Sequence, residues 1–186
     1  MRRTGPLALG LALALSVSAG CKRHDRARSS SYTPPALPAG FVQQSGTGWH
    51  ISVPATWKEM AQKGPAAWAA NDPQVVDDFH ANANVVTEPY TGESYDYAKA
   101  NENDLRAKPR ATVETVHEDV IDGDPTLVIE TRWAPTPPST SAYRVVQTAL
   151  ASHGTGYVVT CAVSASAFER YRSTCDTILR SFAVER

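Results

Sequence analysis

Short strand-like segments recur along the chain, and this pattern constrains the fold more than any other feature. Apolar and polar residues alternate, or β-branched and aromatic residues cluster, around Trp68 and in six further segments: residues 49–53, 79–88, 112–116, 127–133, 143–150 and 157–163. Only two segments have the 3.6-residue apolar spacing of a helix. The sequence therefore predicts a domain in which strands alternate with two helices.

Proline, glycine and aspartate mark where these segments stop. Pro54 follows the first strand, and Pro89 and Gly92 follow the strand at 79–88. The Asp-Gly pair at Asp122 and Gly123 is typical of a two-residue β-hairpin turn. We expect the strands on either side of that pair to be joined as a hairpin.

The first helix is predicted to begin at Ser94 and to end before Pro109, which cannot continue a helix. The second is predicted to begin at Ser166, as an N-cap with Glu169 as its capping-box partner. The apolar stripe of the second helix consists of Phe168, Tyr171, Cys175, Ile178, Leu179 and Phe182. Both helices are expected to bury one face against the strands.

Composition limits the class of protein. A chain of 186 residues with 42% apolar residues is long and apolar enough for one folded domain, so global disorder is excluded. The 18 basic and 19 acidic side chains give a net charge of −1, without the basic surplus of nucleic-acid-binding proteins. We therefore predict no nucleic-acid partner.

The N-terminus has the pattern of an export signal. Arg2 and Arg3 precede an apolar run at residues 7–15, which is shorter than the ~20 residues of a membrane span. The small residues before Cys21 resemble the lipobox of bacterial lipoproteins, with Ser18 where that motif usually has Leu. The resemblance implies a signal peptide at 1–20 and a Cys21 that carries acyl chains such as palmitate. The alternative is an ordinary secretory signal with Cys21 as a bystander.

Residues 21–39 are predicted to form the lipidated N-terminus and a disordered linker. They are rich in serine, proline and basic residues and have almost no apolar periodicity. By resemblance to enterobacterial sorting, Lys22 rather than Asp after the cysteine would permit passage to the outer membrane, and the sequence leaves the choice between inner and outer membrane open. We expect a protein of the bacterial cell envelope that is lipid-anchored to a membrane and faces the periplasm or the cell exterior.

The domain itself resembles a known family. The resemblance rests on a Gly-Trp-x-Ile-x-Val-Pro-x-x-Trp opening that ends at Trp57, a Phe-x-Ala-Asn-x-Asn-Val-Val strand at 79–86, a Gly-x-Pro hairpin at 123–125 and a closing segment at 156–182. These pieces resemble the PsbP-like family, or Mog-type fold, which includes lipoproteins related to DcrB and LpqN. The resemblance implies an α+β domain at 40–186, with an antiparallel sheet flanked by helices. It transfers no catalytic residue, since family members are mostly binding or assembly-support proteins.

Cys161 and Cys175 remain once Cys21 is assigned to lipid, and two cysteines in an exported protein predict a disulfide. Cys161 lies on the apolar face of a strand, and Cys175 lies on the apolar stripe of the helix that follows it. The alternative is a pair of buried free thiols.

No pattern for metal or catalytic chemistry is found. The histidines at positions 50, 80, 117 and 153 fall on separate segments, and the acidic residues at 118–124 lack the spacing of an EF-hand loop. There is no nucleophile elbow, phosphate-binding loop or dinucleotide fingerprint. We predict no catalytic residue, no metal and no cofactor.

Three tyrosines are candidate ligand contacts. Tyr90, Tyr95 and Tyr97 lie in or beside the loop that precedes the first helix, where binding residues are frequent. Packing in the core or at its rim is the alternative for any aromatic side chain.

These observations predict a membrane-anchored extracytoplasmic lipoprotein that binds an envelope protein or a small ligand and is not an enzyme. Two alternatives stay open: a hydrolase or other enzyme whose site is assembled from distant residues, and a structural lipoprotein that stabilises the envelope.

Overall fold

The structure of the protein is a computed structural model that describes residues 36–61, 65–135 and 140–185. The predicted signal peptide at 1–20, Cys21 and the linker up to residue 35 lie outside the described residues. In the described ranges, neither helix is both long and apolar enough to cross a membrane.

Ten strands form two antiparallel sheets in this part of the chain. The strands are β1 Phe41–Gly46, β2 Trp49–Pro54, β3 Lys58–Glu59, β4 Ala66–Val76, β5 Phe79–Pro89, β6 Ala111–Ile121, β7 Asp124–Trp133, β8 Tyr143–Ser152, β9 Thr155–Ser164 and β10 Ala183–Val184. The large sheet has the order β3-β4-β5-β9-β8-β7-β6, and the small sheet has the order β1-β2-β10. The helices are α1 Ser94–Ala107 and α2 Phe168–Arg180.

This architecture confirms the α+β prediction and every predicted strand segment. The segment at 112–116 belongs to the longer β6, and the Trp68 region is the 11-residue β4. Sequence analysis missed β1, β3 and β10. β3 and β10 have two residues each, and β1 is a largely polar, exposed strand, so none has a clear apolar periodicity.

The large sheet separates two apolar layers. On one face, α2 and the small sheet enclose a core in which the Trp49 ring packs 6.2 Å from Trp68 and 6.1 Å from Phe182, measured between ring centroids. On the other face, α1 buries Tyr97, Ala98 and Leu105 against β7 and β8. Each helix therefore covers one side of the same sheet.

The β6–β7 connection is the predicted two-residue hairpin turn. Asp122 and Gly123 have φ values of 51° and 80°, and Ile121 pairs with Asp124. A turn with two positive φ angles matches the twist of an antiparallel pair, and glycine adopts one of them without strain. The Asp122 carboxylate also accepts a hydrogen bond from the Val184 backbone N–H at 3.2 Å, so the hairpin tip holds the small sheet in place.

The predicted capping box at Ser166 is wrong. A short 3₁₀ turn occupies Ala165–Ala167, and α2 begins at Phe168 without a side-chain cap. Both Ser166 and Ser164 donate hydrogen bonds to the Asp77 carboxylate, which lies in the β4–β5 turn. These two hydroxyl groups lower the pKa of Asp77. The Ser166 hydroxyl is therefore used in a tertiary contact with a charged acceptor, which sequence spacing could not reveal.

A disulfide joins Cys161 on β9 to Cys175 on α2, with their Cα atoms 5.4 Å apart. Both cysteines are fully buried. The covalent bond fixes α2 on the central strand of the large sheet.

A buried carboxylate attaches α2 to the sheet a second time. Glu130 on β7 is 5% exposed and forms ion pairs with Arg172 of α2 at 2.5 Å and with Arg144 of β8 at 3.1 Å. The Arg144 guanidinium also lies 3.7 Å above the Phe168 ring. The first two turns of α2 are thereby held by charge as well as by apolar packing.

Candidate functional site

A groove of about 410 Å³ lies between the C-terminal end of α2 and the small sheet. Its floor is formed by Phe182, which follows α2, and by the two residues of β10. Residues 36–38 lie along one side, where the described chain begins. The groove is thus placed where the segment from the N-terminus reaches the domain.

β2 and α2 supply four of the polar side chains that line the groove. His50 and Ser52 come from β2, and Asp176 and Arg180 come from α2. Ser181 fixes the turn between α2 and β10, because its hydroxyl accepts the Ser52 backbone N–H at 2.9 Å and donates to the Ile178 carbonyl oxygen at 2.8 Å. These two hydrogen bonds hold the turn, and with it the groove floor at residues 182–184, against β2.

Two charged side chains of α2 lie at the rim of the groove. Arg180 forms an ion pair with Asp119 of β6, with 2.7 Å between Nη2 and Oδ2, and its side chain is 51% exposed. Asp176 is exposed beside it. The rim can recognise polar or charged groups, while the floor offers an apolar contact.

No metal site is found in the part of the chain that the structure describes, since no three histidine, cysteine, aspartate or glutamate side chains cluster there.

The three candidate tyrosines do not form one site. Tyr97 is 2% exposed, and its hydroxyl donates to Glu88 at 2.7 Å. Burial, reinforced by the Glu88 carboxylate, raises the pKa of Tyr97. Tyr90 packs 4.4 Å from the Tyr97 ring, whereas Tyr95 lies apart and donates to Glu118 at 2.9 Å.

A ligand role for Tyr97 stays a prediction, and in this structure Tyr97 is a buried packing residue. The reason is the glycine at position 156 on the neighbouring strand. A Cβ atom there would lie 2.6 Å from Cζ of Tyr97, so the absence of a side chain makes the space that the Tyr97 ring fills. Tyr90 and Tyr95 are partly exposed, and their role as contacts stays a prediction.

Sequence analysis missed the groove, although it named His50 and the turn at Asp122. His50 and Arg180 are separated by most of the domain in sequence, and neither belongs to a motif. Only the pairing of β10 with β2 brings the end of α2 beside His50.

Comparison with solved structures identifies the fold. Cyanobacterial PsbP from Synechocystis is similar with a TM-score of 0.54 and 16% identity, over 79% of this chain and 94% of PsbP. LpqN of Mycobacterium tuberculosis, which is involved in cell envelope biogenesis, is similar with a TM-score of 0.59 and 14% identity, over 78% of this chain and 90% of LpqN. A protein from Bacteroides thetaiotaomicron has a TM-score of 0.53 and 10% identity, over 79% of this chain and 48% of its own.

These similarities confirm that the domain has a PsbP-like fold. Comparison of sequences alone finds no matching family model and no matching curated protein. At such identities the likeness concerns the fold, and function has to be argued from this chain's own residues.

Proposed function

We propose that this chain is a membrane-anchored extracytoplasmic lipoprotein whose PsbP-like domain binds a partner or small ligand in the groove and catalyses no reaction. The observation that carries the proposal is the groove, which combines an apolar floor at 182–184 with a charged rim at Asp176 and Arg180. Apolar surface supplies affinity, and a few polar groups supply orientation.

The position of the groove supports a role at a membrane surface. Residues 36–38, which line the groove, belong to the last part of the linker predicted at 21–39. A flexible chain of the linker's length spans roughly 20–30 Å, so an acylated Cys21 would keep the groove close to the bilayer. The fold likeness to LpqN, which is involved in cell envelope biogenesis, is consistent with this location.

The anchor can be tested by mass. We expect the mature protein, extracted from membranes with detergent, to begin at Cys21 and to carry the added mass of its acyl chains. Cys21→Ala should abolish that added mass, because the thiol is the site of diacylglyceryl transfer. A wild-type protein that begins at a residue other than Cys21 and carries no acyl group would contradict the predicted lipid anchor.

Binding in the groove can be tested by filling it. Thr177 lines the groove from α2, whereas Ser173 on the same helix is exposed and not among the lining residues. We expect Thr177→Trp to lose a molecule that co-purifies with the wild-type protein from membranes, as measured by native mass spectrometry, since the indole would occupy the site.

Ser173→Trp is the matched control and should retain that molecule, and both variants should unfold at the same temperature as the wild type. Turnover of substrates by the purified protein, together with equal retention in both variants, would contradict a non-catalytic binding role for the groove.

A further inference from the structure

The described chain begins inside the groove. Residues 36–38 line one side of it, and the chain then turns into β1. The Phe41 backbone N–H donates to the Pro38 carbonyl oxygen at 3.3 Å, which closes a tight turn. The Ala55 N–H donates to the Gly40 carbonyl oxygen at 2.8 Å and ties this turn to the end of β2. The fold therefore fixes the point from which the preceding residues extend, and that point lies in the groove.

The described residues leave apolar surface of the groove uncovered. Leu37 is 46% exposed although it lines the groove, and Ala183 in the floor is partly exposed. Tyr32 is the only phenylalanine, tryptophan or tyrosine among residues 1–40, and a chain that serves only as a spacer needs no aromatic side chain. It lies five positions before Leu37, a separation that an extended chain spans with at most about 18 Å. The Tyr32 ring is thus within reach of the floor.

Two prolines favour docking of the segment that carries Tyr32. Pro34 and Pro35 lie between Tyr32 and the groove. Proline fixes φ at about −65° and favours the extended polyproline II conformation. A chain that is already extended loses little conformational entropy when it is immobilised along a groove.

The charges on the two sides are opposite. We call residues 22–35 the tether; its four basic residues and one aspartate give a net charge of +3, with histidine neutral. Asp122 and Asp176 line the groove, and the β6–β7 hairpin beside it has further carboxylates at positions 118, 119 and 124. Arg180 in the lining is already paired with Asp119, at 2.7 Å. The acidic border therefore favours a basic occupant.

We propose that the tether docks into the groove of its own domain, with Tyr32 against the floor and its basic residues beside the acidic border. The docked tether covers the site until a ligand or partner displaces it. Docking also shortens the reach of the domain from the membrane, and a ligand in the groove restores the full length of the tether. This regulation rests on the proposed function of the groove as a binding site.

Photo-cross-linking tests where the tether lies. The photoreactive analogue p-benzoylphenylalanine replaces Tyr32 in the full-length protein in its membrane. After reduction and digestion with trypsin, we expect it to be joined to peptide 173–180 or 181–186 of the same molecule, since both contain lining residues. The control places the analogue at Val75, which is 51% exposed near the β4–β5 turn, where Asp77 binds Ser164 ahead of the first turn of α2. That analogue should not reach either peptide.

Hydrogen exchange measures how strongly the tether docks. Backbone amides of the tether should exchange more slowly in the wild type than in an unstructured chain. Asp176→Asn should speed their exchange about threefold, because it removes one exposed charge from the groove. Asp104→Asn, which removes an exposed charge from α1 on the other face of the large sheet, is the control and should leave the exchange unchanged.

Three results would overturn docking of the tether. One is cross-linking from position 32 only to lipid, to another protein or to a second copy of the chain. The others are exchange of the tether at the rate of an unstructured chain and equal exchange in Asp176→Asn and the wild type. These results are distinct from a failure of the proposed function. A cross-link to the groove supports docking even where Thr177→Trp retains the co-purifying molecule, whereas loss of that molecule without any cross-link to the groove supports the proposed function and overturns docking.

Discussion

Replacing both Cys161 and Cys175 by alanine is expected to lower the free energy of unfolding by about 3 kcal/mol. The bond closes a loop between residues separated by 14 positions, and cross-linking a loop of that size restricts the unfolded chain by about this amount. The bond also joins α2 to β9, so its loss allows the helix to separate from the sheet before the rest of the domain unfolds. Urea unfolding followed by circular dichroism measures the loss.

Reduction of the wild-type protein is the companion measurement. Dithiothreitol should lower the urea midpoint of the wild type as far as the double substitution does, and it should leave the double variant unchanged. Because both sulfur atoms are buried, alkylation of the native protein should require reduction and unfolding first. Rapid alkylation of Cys161 or Cys175 without reductant would contradict the disulfide and favour free thiols.

Glu130→Ala is expected to destabilise the domain by about 3 kcal/mol, because it leaves Arg144 and Arg172 without their shared carboxylate. This loss of unfolding free energy is at the low end of the range known for breaking a buried ion pair, because the Arg172 side chain is 45% exposed and can be hydrated after the substitution. Arg144 is less accessible, and its guanidinium remains over the Phe168 ring without a buried counter-charge. Urea unfolding at neutral pH measures the loss.

Glu114 provides the matched control for Glu130. It also forms an ion pair with Arg144, at 2.6 Å, but its side chain is 29% exposed. Glu114→Ala should cost at most about 1 kcal/mol, as for other solvent-accessible ion pairs. Equal effects of the two substitutions would show that burial of Glu130 contributes nothing beyond a surface ion pair. Raising the salt concentration should reduce the Glu114 effect more than the Glu130 effect.

Local sequence patterns were sufficient for most of the fold. The period-two segments predicted the long strands, and the Asp122-Gly123 pair predicted the β6–β7 hairpin. The apolar spacing in α2 predicted which of its side chains are buried. These features depend on residues close together in the chain, where backbone geometry sets which side chains share a face. The prediction of an N-cap at Ser166 was wrong, because its hydroxyl donates a hydrogen bond to Asp77, which is distant in sequence, and not to the backbone of α2.

The sequence by itself determined the compartment predicted for this protein, the class of its secondary structure and the pair of cysteines that remained for a disulfide. Only the tertiary structure decided which polar residues meet. His50 and Arg180 line one groove because β10 pairs with β2, and Asn84, Thr160 and Gln147 align because β5, β9 and β8 are paired in one register. Strand order and register depend on contacts between segments far apart in the chain, and a single sequence does not display them.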